Sequence, residues 1–154
     1  MIKLITPLDQ LDTSDKYAVG TRYMDKNGND YVYLAGAAST NKYDWVTYNV
    51  STGSVTRLAT TENIGPVAIA MGTIVAKNYG WFQIAGYGIG GVGAATSAGS
   101  VLFSSGTAGL AGGSVATGEM IVNAFAVTAG GGSGTMSVRI MYPFSTGTLP
   151  SLSN

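Results

Sequence analysis

The chain contains no cysteine and no histidine. The first absence removes disulfides, thiol nucleophiles and thiolate metal sites. The second removes the commonest general base, the commonest zinc ligand and every histidine-assisted serine nucleophile. Charge is scarce too: eight basic and eight acidic residues in 154, with a net charge of zero, give none of the clustered positive field that nucleic-acid binding requires. Long apolar runs are also missing. The uncharged stretch 78–118 is broken by Gln83 and by serine, threonine and glycine, so no segment of about 20 apolar residues could span a membrane as a helix. The opening MIKLITPLDQLD is interrupted by Lys3, Pro7 and Asp9 and lacks the apolar core of a signal peptide. These absences predict no cofactor, no metal, no nucleic-acid partner and no membrane.

What charge there is sits unevenly. Fourteen of the sixteen charged residues lie in 1–77, leaving only Glu119 and Arg139 in the second half. A solvated surface is usually about a quarter charged, so this half is expected to be covered by other chains or to expose serine, threonine and glycine.

Glycine is abundant, 23 of 154, and strong helix formers are few. Apolar runs of five to eight residues are separated by Gly, Asn, Ser and Thr clusters, the spacing of an all-β protein. The expected fold is a single β-sandwich or jelly-roll-like barrel spanning 17–142. An extended N-terminal arm covers 1–16 and a C-terminal tail covers 143–154. Within TRYMDKNGNDYVYL, Asn27-Gly28 predicts a type I′ hairpin turn. STGS at 51–54 predicts a second hairpin between YDWVTYNV and VTRLA. Further strands are expected at 66–71, 78–85, 101–105, 119–128 and 135–142. In the last, Met136, Val138, Ile140 and Tyr142 should share one buried face.

Three stretches invite chemistry. Gly86, Gly88 and Gly91 spell the G-x-G-x-x-G of a dinucleotide loop, but no helix pattern follows and the next carboxylate is Glu119, so a Gly-rich bend is expected instead. DKNGND places Asp25, Asn27 and Asn29 like the start of a calcium loop. Asp30 stands where that loop needs glycine and Gly36 where it needs glutamate. Asp9, Asp12, Asp15 or Asp44 could supply a glycosidase carboxylate pair, yet the first three fall in the arm, where burial has little chance to tune them. The aromatics Tyr43, Trp45, Tyr48, Tyr79, Trp81 and Phe82 could form a stacking platform, but packing is the expectation for aromatics in strands without a basic groove.

The segment ENIGPVAIAMGTIVAKNYGWFQIAG, residues 62–86, with DYVYLAGAAS and YDWVTYN before it, resembles small Gly- and Ala-rich virion proteins of tailed bacteriophages, over roughly residues 17–142. The resemblance implies a capsid decoration, or cement, protein on the outer surface of the head, with the major capsid protein as partner and a homotrimer as its assembly. On that reading Ile2, Leu4 and Ile5 of the arm offer apolar contacts to the capsid, and Asp9, Asp12, Asp15 and Lys16 offer salt-sensitive ones. Tyr79, Trp81, Phe82, Gly86, Gly88 and Gly91 are the candidates for packing between subunits. A tail-fibre or adhesin module that binds a host glycan is the structural alternative, and a small polysaccharide-degrading enzyme the catalytic one.

Overall fold

A computed structural model describes residues 2–60, 64–114 and 119–147. These residues form ten strands and no helix: β1 (Arg22–Met24), β2 (Asp30–Ala35), β3 (Trp45–Tyr48), β4 (Val55–Arg57), β5 (Gly65–Ala70), β6 (Tyr79–Gly91), β7 (Val101–Ser104), β8 (Ala111–Gly112), β9 (Met120–Ala126) and β10 (Thr135–Ser145). All belong to one antiparallel sheet in the order β1-β2-β6-β5-β10-β9-β7-β8, with β3 on β5 and β4 on β3. The path is open, so the molecule is all-β and sandwich-like rather than a closed barrel.

The sheet becomes two layers because long strands bend. Gly86 in β6, Asn123 in β9 and Tyr142 in β10 all have positive φ, at 104°, 62° and 50°. Register brings them together: Gly86 pairs with Ile140, Ile140 pairs with Ala124, and the β9–β10 ladder slips between Ile140 and Phe144. The three therefore mark one corner where strands pass from layer to layer, a recognised use of bulges. The bend also shifts the inward phase of β10 by one residue. Met136, Val138 and Ile140 point in, then Pro143 and Ser145 do, and Tyr142, expected inside, is exposed. Alternation alone does not reveal such a slip, because a bulge preserves the pattern on either side of it.

The principal core lies between the layers. Trp45, Val67 and Ile69 meet Leu102, Ile121, Ala124, Met136, Val138 and Ile140. Two further clusters cover the two faces of the first layer, one built on Val32, Leu34, Phe82 and Ile84, the other on Tyr31, Tyr33 and Trp81. The arm closes the latter: Leu4, Leu8 and Tyr17 pack on it, and the backbones of Asp12 and Tyr79 exchange hydrogen bonds of 2.9 and 2.8 Å. The segment 2–16 thus lies against the body. At the other end β10 runs on to Ser145, so the tail is shorter than its sequence suggests; residues 148–154 lie outside the described set.

Both hairpins form, with a correction to the first. Gly28 has φ 83°, Asn27 does not have positive φ, and Gly28 N–H donates to Asp25 C=O at 3.1 Å. Asp25 N–H also donates to Asn29 C=O at 2.9 Å. This is a three-residue loop, a type I turn followed by a left-handed glycine, not a type I′ turn. The Asp25 side chain selects it by accepting from the backbone N–H groups of Asn27 and Asn29 and from the Asn29 amide. Burial pushes this carboxyl up, but the bonds from Asn29, Asn27 and Tyr31 outweigh it and hold it below the ordinary carboxylate range. A depressed folded value stabilises above the unfolded value and is lost as pH falls through the folded one. Asp25→Ala is therefore expected to cost about 1 kcal/mol at neutral pH. The deficit should shrink as pH falls below about 4, the ordinary carboxylate value, in urea titrations of both proteins.

Candidate functional site

The glycine-rich stretch is strand, not a phosphate loop. Residues 86–91 form the second half of β6 and pair with β10 from Thr135–Gly91 to Ile140–Gly86. Gly90 and Gly88 point inward where larger residues would collide. A Cβ on Gly90 would lie 2.7 Å from the Trp45 ring. Between them Tyr87 and Ile89 point outward.

That outward face is the most distinctive surface of the molecule. Register aligns Tyr87 of β6 with Arg139 of β10, Arg139 with Phe125 of β9, and Phe125 with Val101 of β7. Tyr87 is 64% exposed, Phe125 43% and Val101 41%. The Arg139 guanidinium stands 5.7 Å from the Tyr87 ring centre. A second rung runs beside the first: Ile89 pairs with Ser137, whose carbonyl accepts from Val127 N–H at 2.8 Å, and Ile89 and Val127 are both exposed. Arg139 is the only charged residue in β7, β8, β9, β10 and residues 86–91. The charge-poor half of the sequence thus contributes both to the core and to a face on which exposed apolar side chains stand in register across four strands rather than scattered singly. None of its four residues was singled out beforehand for contact, although the alternation in YGIG and NAFAV carried the signal.

The expected capsid-binding arm divides. Ile2, Ile5, Asp9, Asp15 and Lys16 are exposed, whereas Leu4 is half-buried against the tyrosine cluster. Asp12 is 2% exposed and accepts from the Tyr33 hydroxyl at 2.7 Å, which makes it an anchor for the arm rather than an outward contact. Of the expected subunit-packing residues, Trp81 and Phe82 are fully buried within the subunit and Tyr79 stacks on Tyr33. Gly86, Gly88 and Gly91 face Asn29, Gln83 and Leu110 of the same chain. These six hold one subunit together, because the β6 strand that carries them is interior on most of its length.

The buried carboxylates have structural partners, and so does Asp25. Asp30 accepts from Arg22 and from the Tyr142 hydroxyl, the latter at 3.0 Å, tying the first hairpin to the corner. Asp44 accepts from Arg57 Nε at 2.7 Å and Asn41 N–H at 2.9 Å; burial nevertheless pushes it above the ordinary range. Glu119 accepts from the Ser145 hydroxyl at 3.1 Å. Asp25 is spent on its own loop, so the calcium reading loses its first ligand, and among the described residues no cluster of three acidic groups could hold a metal. Trp45, Trp81 and Phe82 are core residues, in keeping with packing. Tyr43 is only half-buried and has φ 72°.

No protein-family model, curated protein or solved structure matches the chain.

Proposed function

We propose that the chain is a structural virion protein of the capsid-decoration type, docking on the outer surface of a phage head through the ladder Tyr87–Arg139–Phe125–Val101. The observation that carries this reading is the ladder itself: an aromatic and aliphatic sheet face with one cation, on a protein whose Asp12, Asp25, Asp30, Asp44 and Glu119 carboxylates serve its own fold. A shell-stabilising protein needs many modest contacts repeated by symmetry, and an oligomer that bridges neighbouring capsomers gains avidity without any tuned active site. The complementary partner surface is apolar, with a carboxylate for Arg139; the partner is the major capsid protein. A homotrimer places three ladders on one capsid axis, and the exposed arm residues Ile2, Ile5, Asp15 and Lys16 add a rim of weaker, salt-sensitive contacts.

Sedimentation of the purified chain with heads stripped of outer proteins tests the proposal. Saturable binding with a fixed number of copies per capsomer is expected. Failure to co-sediment at low and at physiological salt would overturn it.

A further inference from the structure

A second feature lies where two coverings of one sheet face meet. Tyr31, Gln83, Ile69 and Trp45 form a single row across β2, β6, β5 and β3. The arm covers the Tyr31 end of that face and the second layer covers the Trp45 end. Between them, over Gln83, a cleft of about 300 Å³ remains. It is lined by Tyr31, Tyr43, Gln83, the backbone at Tyr87, and Asp9 and Lys42, which pair at 3.3 Å.

The polar groups are set for use. Gln83 is 2% exposed, and its Nε2 donates to Ala85 C=O at 3.1 Å and Tyr87 C=O at 3.0 Å, which fixes the amide. Among the described residues no donor reaches its Oε1. That oxygen stands where a Cβ on Gly88, another residue of the cleft lining, would fall. Tyr43 is held in the left-handed region by hydrogen bonds from its N–H to Ala70 C=O and from Gly91 N–H to its C=O, each 2.8 Å. A large side chain at such a φ is strained, and strain of this kind persists only where the surroundings impose it. The Asp9–Lys42 pair makes the charge of the lining zero.

We propose that this cleft binds one neutral pyranose ring of a saccharide. Aromatic walls suit the apolar face of the ring, while Gln83 Oε1 accepts and Lys42 donates hydrogen bonds at its hydroxylated rim. A cavity of roughly 300 Å³ is at the small end for ligand sites and admits a single ring. The site goes beyond head binding, and it belongs to the free chain.

The test is a titration of the full chain with glucose, galactose and N-acetylglucosamine, each to about 50 mM, read by the Gln83 side-chain amide signals in NMR spectra. Affinity in the millimolar range is expected for at least one sugar. Tyr43→Gly removes a wall while glycine adopts the observed φ freely, so it should keep the fold and weaken binding at least tenfold. Lys42→Met, at an exposed position, should weaken it severalfold. Unmoved Gln83 signals with all three sugars, shifts confined to the Phe125 face, or unchanged affinity in both variants would each overturn the proposal. Because the readout needs no phage head, it succeeds or fails independently of capsid docking.

Discussion

Replacing Gly90 by valine is expected to leave the chain largely unfolded at room temperature. A Cβ there falls 2.7 Å from Trp45 Cζ2 and 2.8 Å from its Cε2 and Nε1. The ring cannot retreat: Trp45 is fully buried in the principal core, and its Nε1 donates to Gly91 C=O at 3.1 Å. Overpacking commonly costs about 1–3 kcal/mol, and a branched side chain forced against a locked indole belongs at or above the top of that range. Truncating the ring itself, Trp45→Ala, should cost about 3–5 kcal/mol. Against a typical domain stability of about 5–15 kcal/mol, either change is severe. The pair offers a sharper check, because the double variant has room for the valine. Its cost should fall short of the sum of the single variants by about 2 kcal/mol in urea unfolding. Additive costs would mean that Gly90 and Trp45 do not meet as described.

The second large effect concerns binding rather than folding. Phe125→Asp is expected to abolish attachment to phage heads while changing stability little. Phe125 projects from the middle strand of the ladder between Arg139 and Val101, and its ring is substantially open. Substitutions on open surface usually shift stability by no more than about 0.5 kcal/mol. At the centre of an interface, however, an aromatic anchor is worth about 2–4 kcal/mol, roughly 30- to 1,000-fold in affinity. The new carboxylate would also sit beside Arg139 and neutralise the one charge the face presents. Lys77→Asp, in the exposed loop that precedes β6 and ten residues before Tyr87 along the chain, should leave attachment unchanged.

Much of the architecture was legible because its signals are local. The glycine at 28 and the glycine at 53 announced two hairpins, and five strand segments followed from short apolar runs between small polar residues. The turn type at Asn27 was missed because Asp25, two residues back, captures the loop amides and stabilises a different geometry. The corner was not legible either. Asn123 and Tyr142 carry positive φ without being glycine, and only their alignment with Gly86 across three strands explains why. Residues 111–112 form a strand too short for any periodicity.

The candidate surface was half legible. Uneven charge marked the second half of the chain as a contact region, but the chosen residues, Trp81 and Phe82, belong to the core, since a buried strand and an interface strand share the same aromatic composition. Separating them requires knowing which face of β6 is covered, and that depends on the bend at Gly86. Likewise Asp12 resembles any arm carboxylate in sequence; only the Tyr33 hydroxyl, 21 residues away, reveals it as an internal anchor.

The central claim is that the ladder is the face that meets the head. Oxidative footprinting of the chain, free and bound to heads that carry it, tests this most directly, because Tyr87 and Phe125 are open on the ladder while Met24, on β1 outside it, is an open reference. The account predicts that Tyr87 and Phe125 lose reactivity on the particle while Met24 keeps it. Protection of Met24 and the first hairpin, with Tyr87 and Phe125 still reactive, would contradict it.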